Sequence, residues 1–556
     1  MVKNSANLYL ITTFVFVFSF ALLGSFSAQT LPQFIAPLDI PLILSGNFGE
    51  FRGSHFHTGI DIKTQGVEGF PVLASADGEV VRIKVSPWGY GNALYIEHKG
   101  GSMTVYAHLS KFNPDIDAWL VGKLYSGRTL GYDARPSKTF YFSVGDTIGW
   151  SGNSGSSGGP HLHFEIRDSK SHPVNPLLWG FDISDTKPPQ VGDLILVPVD
   201  SQGLELRHET SSAVAHDTTS LARGVYHLGV EAFDKLDNAN NKCGIYKLEI
   251  EVNGLLHFSC TIDTLDFSVN KDMNAHAYFP AWSAGRKAIH RIDVLAGNRL
   301  SIYDQTPDSP ICIIPDSTVT IQVNCYDANS NLTTKMYHLR GDATLFNDVV
   351  DTPIITAPAN HFTDVALRDE GLEVVWPKGS FYSREQATIS LYDSVEFAVG
   401  PLDAPLAKSF IVSISAPTSH KDLWVARSVD YKGRLSGCII CDYESGQLLF
   451  STRTMGRFKI TRDTVPPRVL PKHSATPLVS SGDLVFHVED AVSGVAKVTC
   501  TIDGEWVLLR WDPKKKSAIY LSSDSRHKSG VKQVVEIVVE DGVGLKSSWK
   551  GSVVFP

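Results

Sequence analysis

Histidines and carboxylates gather in one stretch of this chain, and their spacing suits a catalytic metal. In His161-Leu162-His163-Phe164-Glu165-Ile166 the alternation of a β-strand would put Leu162, Phe164 and Ile166 on an apolar face. His161, His163 and Glu165 then share the other face. Two imidazoles a strand pitch apart reach one centre, one as ligand and one as base. His57-Thr58-Gly59-Ile60-Asp61 adds a further imidazole and a carboxylate as near neighbours. Gly59 and the run Ile60-Asp61-Ile62-Lys63 point there to a loop entering a strand, not to a helix. Two nitrogens and one oxygen offer a borderline cation such as Zn²⁺ three ligands and leave one position for water. That is the catalytic pattern, since structural zinc is usually closed by four ligands, mostly cysteines. The chain has no cysteine before Cys243. Taken singly, each piece also suits a plainer role, such as a polar strand face or a half-buried strand histidine.

Other elements must position these groups. Leu94–His98 and Met103–His108 flank Lys99-Gly100-Gly101, a hairpin turn signal, so Thr104, Tyr106 and His108 are expected on one face of the second strand. The Gly/Ser run Gly149–Pro160 is not a phosphate loop, because it lacks the Lys-Ser/Thr ending and leads into a strand. Its glycines suit close approach of backbone to a groove. His55 forms a second HxH with His57 and is taken as a non-ligand. Between Lys111 and Ser143, Asn113 would cap a helix with Pro114 in its first turn. Ile116, Trp119, Leu120 and Leu124 would form its apolar stripe. Such a helix either packs on the domain surface or acts as a lid over the groove.

Together the pieces resemble the lysostaphin-type zinc endopeptidases, the glycyl-glycine endopeptidase family of peptidoglycan hydrolases. The resemblance runs through Gly46-Asn-Phe-Gly49, His57-x-Gly-x-Asp61, Gly89-Tyr-Gly91-Asn, Tyr106-Ala-His108-Leu, Gly158-x-Pro160-His-Leu-His163-Phe-Glu and Val174-Asn-Pro176. It covers roughly a quarter of the chain. It implies an antiparallel β peptidase domain of the duplicated hybrid motif type and one Zn²⁺ per chain. His57, Asp61 and His163 match the metal ligands, and His161 and His108 match the catalytic histidines. His161 would take the water proton and pass it to the leaving amine, with His108 facing the oxyanion, or the two would exchange roles. The implied substrate is the peptide part of peptidoglycan. The domain layout resembles exported peptidases of Gram-negative, Bacteroidota-like bacteria, which implies a D-alanyl–diaminopimelate bond. The rival readings are a zinc-binding regulator of wall hydrolases without activity, an adhesin-like exported protein whose N-terminal domain is vestigial, and a peptidase of secreted proteins. The segment from Lys111 to Ser143 departs from the family, which passes quickly between the flanking strands.

Composition agrees with an exported, mostly β protein. The chain has 556 residues, enough for several domains. A net charge of −9 argues against a general nucleic-acid partner. Lys3 followed by the apolar run Leu8–Leu23 reads as a secretory signal, with Ser25 and Ser27 placed for cleavage before Ala28, the alternative being an uncleaved N-terminal anchor. No later segment is apolar enough for a membrane span, so location in the periplasm or cell envelope is expected. Seven cysteines cannot make a dense disulfide framework, and Cys438-Ile-Ile-Cys441 lacks the second pair of a zinc ribbon.

Asp185-Thr-Lys-Pro-Pro189 and Asp463-Thr-Val-Pro-Pro467 read as linkers that open domains. The segments after them are alike. Gly224–Asp234 resembles Gly482–Asp490, Cys243–Gly254 resembles Ser493–Gly504, and Val319–Asp327 resembles Val534–Asp541. All alternate with period two and end in turn residues. The fold class is therefore all-β. Its expected order is a signal peptide over 1–27, the peptidase domain over 28–185, an immunoglobulin-like sandwich over 186–345, a β-rich domain of uncertain type over 346–462, and a second immunoglobulin-like sandwich over 463–556. The C-terminal domains read as spacers, packing platforms or binding modules, the last through contacts of the immunoglobulin-like domains with protein or wall.

Overall fold

The computed structural model describes residues 33–200, 204–206, 212–215, 219–344, 355–415, 423–430, 432–472, 478–479 and 482–555. The signal expected over 1–27 lies outside the described residues. Strands dominate, and among the described residues no helix is long and apolar enough to cross a membrane.

The first unit is an antiparallel sheet. Its main path runs through Leu44–Gly46, Ile60–Lys63, His161–Arg167, Met103–Ala107, Ala93–His98, Gly78–Val85 and Tyr132–Ala134. Alternation decides which side faces inward. Ile60, Ile62, Leu162, Phe164, Ile166 and Tyr106 are fully buried in one core. A small sheet of Pro71–Leu73, Thr147–Trp150 and Lys111–Phe112 contributes Val72, Ile148 and Phe112 to that same core. The opposite face of the main sheet carries the smaller apolar cluster of Ala93, Tyr95, Val105 and Ala107, and beside it the polar residues His163 and Glu165.

The insertion forms a helix, Pro114–Gly127, with Asn113 accepting the backbone N–H of Asp115 at 3.1 Å. Ile116, Leu120 and Leu124 are buried in the first unit's core. Tyr125 looks elsewhere. Its hydroxyl donates to Asp524 and accepts from the backbone N–H of Leu508 at 3.2 Å, and its ring meets Trp506 edge-on at 5.4 Å. These are the contacts of a docked element, not of a lid. The helix fastens the last unit of the chain to the first.

Each of the three following units has two sheets sharing one core. The one after the first DTxPP segment pairs five- and six-stranded sheets, as does the next, and the last pairs four- and five-stranded sheets. Phe48, Phe51 and Phe56 of the first unit sit in the core of the second. Asn47 and Gly244 exchange two hydrogen bonds, of 2.8 and 2.7 Å, and Asn270 bonds both backbone groups of Phe56 at 3.0 Å. The backbone leading into His57 is therefore held by the neighbouring unit. All seven cysteines are free thiols, and Cys438 lies within the strand Leu435–Ile440, away from any helix terminus.

Candidate metal centre and catalytic groove

Strand register brings the candidate ligands together. Asp61 stands directly opposite His163 in the ladder between Ile60–Lys63 and His161–Arg167, and Ala107 flanks His163 on the other side. Two directly opposed residues share a face, so the carboxylate meets the imidazole across the ladder. Gly59 makes this pairing possible. A Cβ there would lie 2.3 Å from the carbonyl oxygen of Phe164.

Three atoms converge. Asp61 Oδ1 lies 2.9 Å from His163 Nδ1 and 3.2 Å from His57 Nε2, and the two nitrogens are 3.0 Å apart. All three residues are buried. A tetrahedral ion with bonds of about 2.0 Å would separate its ligands by about 3.3 Å, close to this triangle. The outer nitrogens are already committed. His57 Nδ1 donates to the carbonyl of Asn47 at 2.7 Å, and His163 Nε2 to Glu165 Oε1 at 2.9 Å. The neutral tautomers these bonds select leave Nε2 of His57 and Nδ1 of His163 as lone pairs beside a carboxylate oxygen. Only a cation or a proton can fill that space. Burial opposes charge on His163, but its hydrogen bonds to Asp61 and Glu165 outweigh burial and raise its pKa to about 9. A proton on Nδ1 is what a bound metal would displace. The donor set fits a small borderline divalent ion.

Further residues hold the ligands. Glu165 is fully buried and accepts from Thr58 at 2.7 Å, from the Tyr90 hydroxyl at 2.5 Å and from Arg167 at 2.7 Å. Burial alone would raise its pKa, but Arg167 and His163 hold it well below the usual carboxylate range. Arg52 donates to Asp61 Oδ2 at 2.8 Å and leaves Oδ1 for the triangle. The roles of Glu165, Arg52, Tyr90 and the Asn47 carbonyl went unread in the sequence. The one signal was the place of Glu165 two residues after His163, on the same strand face. Replacing Glu165 with Gln is expected to weaken zinc binding about 10–100-fold, because the His163 ring loses its charged partner. Competition with a zinc chelator checks it.

His161 and His108 lie on the open side. His161 Nδ1 meets the Gly159 carbonyl at 2.8 Å, and its Nε2 is 3.4 Å from Asp61 Oδ1. His108 differs from the expectation that it shares a face with Thr104 and Tyr106. Tyr106 points into the core, where its hydroxyl accepts from Thr104 at 3.0 Å. His108 comes after the strand Met103–Ala107 with φ +60°. This left-handed step swings its ring to the groove, with its centroid 4.8 Å from that of His161 and 5.9 Å from that of His163. Its Nδ1 donates to the Ser154 carbonyl at 2.8 Å, and burial lowers its pKa to about 3, so the imidazole is neutral. His55 is exposed and stays outside the cluster.

The Gly/Ser run forms the rim that aims both rings. Gly155, at φ +70°, lies so close to Gly91 that a Cβ would fall 2.3 Å from the Gly91 nitrogen. Ser154 Oγ accepts from Asn92 N–H and donates to the Leu109 carbonyl, at 2.9 and 2.8 Å. From the last unit, Lys514 Nζ donates to the carbonyls of Asn153 and Ser157 at 2.6 and 3.0 Å.

Residues 55–129 match Peptidase family M23. That stretch contains His57, Asp61 and His108, while His161 and His163 follow it. The chain is 40% identical over 121 residues to the DD-carboxypeptidase/endopeptidase Mpg of Neisseria meningitidis serogroup B, covering 22% of each protein. It is 35% identical over 120 residues to the peptidoglycan DD-endopeptidase ShyA of Vibrio cholerae, again covering 22% of each. Among solved structures, the catalytic domain of lysostaphin from Staphylococcus simulans aligns at 25% identity over 24% of this chain and 90% of that one, with a TM-score of 0.19. The chain spans about a fifth of the length of the curated relatives it matches.

Proposed function

We propose that this M23 metallopeptidase domain of lysostaphin type makes the protein a zinc-dependent endopeptidase that cleaves peptide cross-links of bacterial peptidoglycan in the cell envelope. The observation that carries the reading is the buried triangle of His57 Nε2, Asp61 Oδ1 and His163 Nδ1, with two further imidazoles on its open side. His57, Asp61 and His163 would hold one zinc ion. When bound, zinc supplies a Lewis acid that polarises a carbonyl and makes hydroxide available near neutral pH. The chain's own groups do the rest. The Gly159 carbonyl fixes the proton of His161 on Nδ1, so Nε2 is free to accept a proton from water and return it to the leaving amine. His108 is neutral, with its Nδ1 proton tied to Ser154, so its Nε2 either takes that proton in place of His161 or, once protonated, donates to the oxyanion. The two units that follow the DTxPP segments, read as immunoglobulin-like sandwiches, would hold the groove against wall or protein.

The test is digestion of purified sacculi by the full-length protein, with and without chelator, followed by mass analysis of released muropeptides. Cross-linked dimers resolved into monomers only without chelator are the expected result. Zinc bound with no product would leave a regulator of other hydrolases, and cleavage of secreted proteins alone would move the substrate off the wall.

A further inference from the structure

Among the described residues, three other clusters rich in carboxylates lie outside the groove. One, Glu205 with His227 and Asp293, already has its cation, because Arg291 Nη2 donates to Glu205 and, at 2.7 Å, to Asp293. The other two consist of aspartates alone. Asp185, Asp234 and Asp327 have carboxylate oxygens within 4.8 Å of one another, and so do Asp463, Asp490 and Asp541.

These two triads are the same construction made twice. Asp185 and Asp463 each open a DTxPP segment. In both units the fifth residue after that Asp pairs with the residue just before the second Asp, Gln190 with Phe233 and Arg468 with Glu489. The third Asp makes the same turn in both. Asp327 Oδ1 accepts from the N–H groups of Asn329 and Asn331 at 2.9 and 2.8 Å, and Asp541 Oδ1 from those of Val543 and Leu545 at 3.0 and 2.8 Å.

A second observation separates the triads from ordinary acidic turns. Asp234 is 1% exposed, and its Oδ1 has no hydrogen-bond partner. Asp541 is 1% exposed, and its Oδ2 has none either. Oδ1 of Asp490 is likewise buried and unpartnered. A buried carboxylate oxygen without a donor is costly, and crowding it with two more carboxylates adds to the cost. Lys187 is close in sequence but donates to the Leu236 carbonyl at 3.1 Å and lies 3.7 Å from Asp237. Burial and the neighbouring aspartates push Asp234 up to about 7 and Asp185 up to about 6.

We propose that each unit binds one hard divalent cation, of the calcium or magnesium class, between Asp185, Asp234 and Asp327 in the one and Asp463, Asp490 and Asp541 in the other. All-carboxylate donors with no nitrogen or sulfur select such ions over zinc. Carbonyls and water complete the coordination. The first aspartate of each triad lies on the segment that enters the unit, so the ion ties the linker to two strand ends. The Asp185 carbonyl is already anchored there by Asn329 and Asn331, at 3.2 and 3.1 Å.

The test counts metal. Full-length protein, stripped on chelating resin, is equilibrated with calcium chloride alone or magnesium chloride alone, and bound metal is measured. The proposal expects about two ions per chain in at least one arm, and the arm that fills identifies the ion. Asp234→Asn and Asp541→Asn should each retain about one, and the double variant none. Asp61→Ala should retain both, which separates these sites from the groove. Uptake of neither metal, or uptake unchanged in both Asn variants, overturns the proposal. Wild-type protein supplies a check that needs no variant: the filling metal should raise its melting temperature above that of the stripped form, and no rise also overturns the proposal.

Discussion

Asp61→Ala is expected to empty the metal centre. Asp61 contributes the one negative charge of the triangle, and its Oδ1 touches both partner nitrogens. Its Oδ2 restrains Arg52 at 2.8 Å. Without the carboxylate, two neutral imidazoles must hold a dication beside the Arg52 guanidinium, whose charge only Glu50 then faces, and both changes weaken binding. A partner of a ligand is typically worth 10–100-fold in affinity, so loss of this ligand should exceed about 100-fold. Peptidase turnover should fall with zinc content. Elemental analysis of the purified variant decides the point, and about one zinc per chain in Asp61→Ala would move the centre away from this triangle.

His161→Ala should do the opposite: keep the metal and lose the rate. The ligand triangle does not include His161, whose ring is held from outside by the Gly159 carbonyl and Ser157. Removing a general base costs about 10²–10⁴ in kcat, with KM little changed. Steady-state rates on a cross-linked muropeptide, measured beside zinc content, separate the two outcomes. Zinc lost from this variant would make His161 a ligand, and an unchanged rate would pass the proton to His108.

The two outcomes concern residues that were legible in the sequence for a simple reason. His161, His163 and Asp61 lie on strands, where a period of two fixes the face and one ladder fixes the partner. His108 was identified as a residue but misplaced in space, because alternation fails at a left-handed step and nothing in Tyr-Ala-His-Leu announces one. The hydrogen-bonded shell was hidden for another reason. Arg52, Tyr90 and the Asn47 carbonyl act through contacts between distant segments, which period and spacing do not carry. The helix after Asn113 could be drawn to its cap and stripe, yet its partner surface belongs to residues 506–526, and only the folded chain shows that it docks there. The likeness of the segments after the two DTxPP linkers was visible as alternation and turn chemistry. The convergence of their aspartates was not, since Asp185 and Asp327 meet only after the intervening strands have paired.

The bond from Lys514 to the groove rim spans 361 positions of the chain. Asn153 and Ser157 bracket the carbonyl that aims His108, and Ser157 also touches His161. A nascent chain that has released only its first unit thus has every imidazole of the groove, but not the ammonium that steadies their rim. The rim of the groove is complete only when the far end of the polypeptide has returned to its beginning.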